Sequence, residues 1–141
     1  MAICVTNQPV VARGELTFSG LEKIHCHMEA KLGEKGAYLD DIFFCPHHPD
    51  SGFEGEVKEL KYKCECRKPK PGMLYEAAKK YNIDLNLSWT IGDHSRDMMA
   101  GKKAGTKTIY ISHSKHDLSM KIDHKFGNLI EAIKHIFNQD Q

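Results

Sequence analysis

The sequence predicts one α/β domain, a parallel sheet with helices on both faces, and three observations carry that expectation. Apolar runs of strand length alternate with amphipathic stretches from one end of the chain to the other. Those runs are continuous, as strands buried on both faces are. The polar residues suited to chemistry fall at their carboxyl ends, Thr6-Asn7-Gln8, Cys45-Pro46-His47 and Gly92-Asp93, where such sheets bind ligands.

Residues 2–6 read as the first strand. Over 17–36, Leu21, Ile24, Met28 and Leu32 recur at spacings of three and four, with Thr17 or Ser19 to cap the start and Gly36 to end it, so a helix with one apolar face is expected. Asp41–Cys45 is a second short strand. Residues 46–70 carry Pro, Gly and charge without periodicity, and a loop that long needs something to hold it.

Pro71 suits the first turn of a helix that runs to Asn82, with Met73, Leu74, Ala77, Ala78 and Tyr81 along one face. Residues 88–92 form a third strand. A helix with Ser95 as its cap, including Met98, Met99 and Ala100, stops at Gly105. Residues 106–112 return to strand, and 128–137 close the chain as an amphipathic helix with Leu129, Ile130, Ile133, Ile136 and Phe137 on one face.

With 141 residues the chain suits a single domain over 1–141, and 40% hydrophobic with 28% charged residues is the balance of a globular protein. Lys+Arg 20 against Asp+Glu 19 gives a net charge of +1, too little to attract nucleic acid or an anionic membrane. No apolar run approaches the roughly 20 residues of a membrane span. No export signal opens the sequence, so the cytoplasm is the expected compartment. Five cysteines is an odd number, which argues against a disulfide framework and for metal binding or burial.

Cys45-x-His47 and Cys64-x-Cys66 enclose the long loop, a zinc loop of about residues 45–67. Three thiolates and one imidazole make a closed tetrahedral shell with no position left for water or substrate, so the expected Zn²⁺ is structural and its binding energy orders the loop. His48 is the alternative to His47. Cys4 and Cys26 read as small buried residues. Arg67 and Lys68 follow the last ligand directly, a planar fork and a compact cation suited to phosphate oxygens.

Gly92-Asp93-His94-Ser95-Arg96-Asp97 sits at a strand-to-helix turn. Asp93 is placed to bind Mg²⁺ with Asp97 supporting it, unless Asp97 only complements the helix dipole. Thr6, Asn7 and Gln8 offer a hydroxyl and two amides to phosphate, and Arg13 adds a cation.

Together, Val5-Thr6-Asn7-Gln8, Cys45-Pro46-His47-His48-Pro49, Cys64-Glu65-Cys66-Arg67-Lys68-Pro69-Lys70-Pro71-Gly72 and Ile91-Gly92-Asp93 with Asp97 resemble the haloacid dehalogenase (HAD) superfamily. Within it they are similar to the zinc-containing D-glycero-D-manno-heptose 1,7-bisphosphate phosphatases and their histidinol-phosphatase relatives. The resemblance runs from about residue 2 to residue 112. It implies a HAD-like Rossmannoid sheet and hydrolysis of a sugar bisphosphate with Mg²⁺. It implies that Thr6 holds the transferring phosphoryl group, Lys68 is the motif lysine, Asp93 the Mg²⁺ ligand and Arg67 a substrate-phosphate ligand. The zinc ligands it implies are Cys45, His47, Cys64 and Cys66.

The family's nucleophile and general acid sit in an Asp-x-Asp before Thr6, and no Asp-x-Asp occurs in this sequence. Pro9-Val10-Val11 stands where relatives carry a Ser-Gly-type loop, and His94 where they often carry Lys. The expectation is therefore a domain truncated at its N-terminus, a fragment without turnover that self-associates or needs a missing segment to complete its sheet. The competing reading is a non-catalytic, zinc-stabilised module that binds phosphate esters or a partner.

Overall fold

Ile3–Asn7 (β1) and Asp41–Cys45 (β2) pair in parallel, Thr6 opposite Phe44 and Asn7 opposite Cys45. The polar end of one strand thus lies beside the thiol end of the other. The structure, a computed structural model, describes residues 1–113 and 119–139. They form two compact units, Met1–Arg67 and Lys68–Gln141.

In the first unit, the helix Phe18–Gly33 (α1) begins where Thr17 Oγ1 accepts the Gly20 N–H at 3.0 Å, which settles the cap on Thr17 rather than Ser19. Of the expected apolar face only Leu21 is fully buried; Ile24 lies 53% exposed, and Cys26 is exposed rather than buried. Strand β1 is half-buried along its whole length, not enclosed on both faces, and β2 is its one sheet partner among the described residues.

After β1 the chain turns through buried Val11 and Ala12. The Val57 N–H donates to Ala12 O at 2.9 Å, and a Cβ at Gly14, where φ is +74°, would strike Gly55 O. The long loop is therefore docked on the turn that follows β1. Its far side closes on itself: Glu56 accepts the Gly52 and Phe53 N–H groups, and buried Lys61 sits 3.5 Å from Glu56 and over the Phe53 ring. A single 3₁₀ turn, Lys58–Leu60, is its one helical segment.

In the second unit, Gly72–Tyr81 (α2) buries Met73 and Ala77, and Asn82 ends it in the left-handed region. Trp89–Gly92 (β3), Lys107–Ile111 (β4) and His124–Phe126 (β5) form a parallel sheet in the order β3-β4-β5. Ser95–Ala104 (α3) packs so closely on β3 that a Cβ at Gly101 would lie 2.7 Å from Thr90 Cβ. Buried Thr90 and Thr106 share a hydrogen bond at 2.6 Å.

Ser95 is the first helical residue and His94 takes the cap position, because the Asp97 carboxylate accepts the His94 N–H at 3.0 Å. Strand β5 has no sequence signature; its three residues are held by pairing Ile109 with His124 and Ile111 with Phe126. Leu129–Gln139 (α4) seats Ala132 while Leu129, Ile130 and Phe137 stay exposed, so only one edge of its apolar stripe is covered. No helix among the described residues is long and apolar enough to cross a membrane.

Asp123, just before β5, accepts both the Thr108 N–H and its hydroxyl at 2.8 Å, and Thr108 is wholly buried. Burial works against the charge on Asp123, but these hydrogen bonds outweigh it and hold the carboxyl below its usual range. Asp123 is itself exposed and water can replace part of what is lost, so Asp123→Ala should remove about 1 kcal/mol of stability or less. Because its carboxyl titrates lower in the folded than in the unfolded chain, that contribution is whole above about pH 4 and fades as acid protonates the folded form. Denaturant melts of both proteins at neutral and acid pH check this: the difference between them should shrink in acid.

Candidate functional site

Two clusters gather the chemistry, one in each unit. In the first, the end of β2 supplies Cys45, the next turn supplies His47, and the return of the loop brings Cys64 and Cys66 back to them. All four donor atoms lie within 4.8 Å of one another. The sulfurs are separated by 3.0 Å (Cys45–Cys66), 3.4 Å (Cys64–Cys66) and 3.5 Å (Cys45–Cys64). His47 Nδ1 stands 3.2 Å from Cys66 Sγ and 3.6 Å from Cys45 Sγ. His48 instead turns its Nδ1 to the Asp50 N–H at 3.2 Å, so His47 is the imidazole that the fold brings among the thiols.

This donor set fits a tetrahedral Zn²⁺. Zn–S bonds of about 2.3 Å put sulfurs about 3.8 Å apart around a tetrahedral ion, so the observed spacings must widen by about 0.3–0.8 Å to seat it. Burial pushes the Cys45 and Cys66 thiols up, and three sulfurs this close cannot all ionise without a cation. At Cys64 burial is outweighed by hydrogen bonds, including the Arg67 and Cys66 backbone N–H groups, and the thiol is lowered. The His47 backbone N–H bonds Cys45 in the same way. Burial also lowers His47, keeping its imidazole neutral, the form that ligates metal.

Arg67 Nη1 donates to His47 O at 3.3 Å, so part of its guanidinium fork braces the loop. Thr6 and Asn7 close β1, and Gln8 Nε2 donates to Thr6 Oγ1 at 3.1 Å. The Gln8 N–H reaches Cys45 O at 2.7 Å, extending the β1–β2 register by one residue. Arg13 lies exposed on the turn that follows.

In the second unit, Asp93, His94 and Asp97 bring their donor atoms within 4.8 Å of one another at the carboxyl end of β3. Gly92 is required there, since any Cβ would run into the Asp97 side chain. Buried Asp97 takes Lys68 Nζ at 2.7 Å, with 13% of the lysine and 8% of the aspartate side chain exposed. Asp93 is exposed, and the hydrogen bond from His94 Nδ1 at 2.9 Å holds its carboxyl below the usual range, so it stays anionic and open to a cation.

The sequence model of the HAD-hydrolase-like family matches residues 65–132. The chain is 44% identical over 109 residues to the D-glycero-beta-D-manno-heptose-1,7-bisphosphate 7-phosphatase of Yersinia pestis, covering 76% of this chain and 56% of that protein. It is 40% identical over 117 residues to the D-glycero-alpha-D-manno-heptose-1,7-bisphosphate 7-phosphatase of Photorhabdus laumondii, covering 83% of this chain and 62% of the relative. The crystal structure of D,D-heptose 1.7-bisphosphate phosphatase from B. bronchiseptica, complexed with magnesium and phosphate, superposes with a TM-score of 0.80 at 29% identity, covering 97% of this chain and 74% of that one.

Over the residues matched, the chain is similar to the HAD-like hydrolases. It spans 56% and 62% of the length of the two curated relatives. Lys68 and the strand-end Asp93 are both present, while no Asp-x-Asp occurs among these 141 residues. One contributor went unread in the sequence: Tyr62, whose hydroxyl lies 2.8 Å from His47 Nε2. Its signal is faint, an aromatic two residues before Cys64 in a stretch without period.

Proposed function

We propose that this chain carries the zinc loop and the magnesium and lysine motifs of a phosphomonoester hydrolase acting on a sugar bisphosphate of the D-glycero-D-manno-heptose 1,7-bisphosphate kind. The observation that carries the reading is the Lys68–Asp97 pair, 2.7 Å long and set beside an open Asp93 at a strand's carboxyl end. The 44% identity to a heptose bisphosphate phosphatase supports the substrate class.

On this reading Asp93 binds Mg²⁺ and Asp97 supports it. The ion supplies positive charge to a phosphoryl group as negative charge builds on it. Lys68 neutralises phosphoryl oxygens, and Asp97 fixes where its ammonium points. Thr6 is assigned to the phosphoryl group: because Gln8 donates to its oxygen, its own O–H proton is left to donate to phosphate. Asn7, Gln8, Arg13 and Arg67 are assigned to substrate oxygens. Zinc belongs to Cys45, His47, Cys64 and Cys66, closed to substrate and structural in role.

The bond to phosphorus is made by a carboxylate outside these 141 residues, and the sheet is completed by a further segment or by self-association. The cytoplasm is the compartment assigned. The absence of an Asp-x-Asp favours one other reading, a non-catalytic module that binds phosphate esters.

Phosphate release from the heptose bisphosphate tests the choice. The 141-residue chain should turn over negligibly, whereas a longer form carrying an Asp-x-Asp should hydrolyse it and lose about 100-fold or more with Asp93→Asn. Turnover by the 141 residues alone, abolished by Asp93→Asn, contradicts the assignment of the nucleophile. Ester binding that survives magnesium chelation, without turnover in either form, favours the binding module.

A further inference from the structure

The four-ligand knot leaves one nitrogen of His47 unspoken for. Nδ1 faces the thiols, 3.2 Å from Cys66 Sγ and 3.6 Å from Cys45 Sγ, so Nδ1 must offer its lone pair if a metal sits among them. A neutral imidazole with a bare Nδ1 carries its proton on Nε2. That proton has a partner: Tyr62 Oη lies 2.8 Å from Nε2, and the two rings lie side by side with centroids 4.5 Å apart.

We infer that Tyr62 is a positioning residue for zinc, its hydroxyl oxygen accepting the His47 Nε2–H and so fixing the tautomer and rotation that aim Nδ1 at the ion. The inference rests on the zinc reading of the Cys45, His47, Cys64 and Cys66 cluster. It adds a fifth residue that touches no metal. A histidine ligand held by a second group on its far nitrogen is more basic and reorients less, and losing such a partner typically weakens metal binding 10–100-fold.

The position of Tyr62 suits the task. It stands two residues before Cys64, on the segment that returns to the knot, so closing the loop and bracing the histidine are one event. The Lys61 N–H donates to Lys58 O in the 3₁₀ turn just before it, and the neighbouring Lys61 side chain is buried against Glu56 and Phe53, which anchors the backbone from which the tyrosine projects. Tyr62 is itself 48% exposed, so it can lose its hydroxyl without opening a core cavity.

The test compares the full chain with Tyr62→Phe and, as a remote control, Tyr38→Phe, which alters a tyrosine 75% exposed elsewhere. Zinc affinity is measured by competition with a chromophoric chelator, and the His47 ring N–H is followed by proton–nitrogen NMR on the zinc-loaded proteins. Phenylalanine keeps the ring contact, so a purely packing role predicts no change. The expected result is one zinc per chain in all three, about 10-fold or more weaker retention in Tyr62→Phe, and a His47 Nε2–H that exchanges with water faster there than in the other two. Affinity of Tyr62→Phe within twofold of the parent overturns the role of Tyr62 and leaves the zinc site standing. Failure of the parent chain to hold zinc overturns the site itself, and the inference with it.

Discussion

On the proposed zinc reading, chelating the metal, or replacing Cys66 by Ser, should unfold the loop of residues 46–66. The reason lies in the charge count at the knot. Without a cation, burial holds the Cys45 and Cys66 thiols protonated, and sulfurs 3.0–3.5 Å apart gain only weak hydrogen bonds from one another. With the metal, thiolates and a neutral imidazole share one dipositive ion, a bond set worth about 10–16 kcal/mol in small zinc domains near neutral pH. The remaining anchors of the loop, the Glu56–Lys61 pair and the Val57 to Ala12 hydrogen bond, are each worth far less. Hydrogen exchange reads the outcome: amide protection at His48, Val57 and Leu60, each bonded within the loop or to the turn after β1, should disappear with chelation. Retained protection in metal-free protein would mean that the loop folds without its ion.

Asp97→Ala should be the most damaging single change in the second unit, about 3–5 kcal/mol. It withdraws the carboxylate from a lysine only 13% exposed and takes the acceptor from the His94 N–H that starts α3. Asp97→Asn keeps an oxygen for that N–H but not the charge, and should fall between. The Lys31–Glu34 pair of α1 makes the contrast: at 2.9 Å it is nearly as short, yet both side chains are more than half exposed, and Glu34→Ala should cost under about 0.5 kcal/mol. Urea melts of the three variants would separate burial from distance as the deciding quantity. Equal losses at Asp97 and Glu34 would contradict this.

Much of this was legible in the sequence, for identifiable reasons. The Cys-x-His and Cys-x-Cys pairs mark side chains that the fold brings together because so few other arrangements hold a long loop, and Asp93 and Asp97 are marked as neighbours by standing at a strand-to-helix turn. The helix starting after Thr17 and the stop at Gly105 follow from cap chemistry. What escaped depends on how the folded backbone brings partners together, near or distant in sequence. β5 exists through pairing with β4 and has no pattern of its own. Ile24 fits the apolar spacing but stays more than half exposed, and Ser95 yields the cap to His94 because Asp97 reaches back. His47 and His48 are indistinguishable until the loop is folded, when Asp50 takes one and the thiols the other.

The central claim is that Asp93, beside an Asp97-held Lys68, makes a magnesium-dependent phosphate site. Calorimetric titration of the zinc-loaded chain with inorganic phosphate tests it most directly. The account predicts binding that requires Mg²⁺, disappears in Asp93→Asn and weakens in Lys68→Ala. Phosphate binding of unchanged strength in Asp93→Asn, or without magnesium, would contradict it.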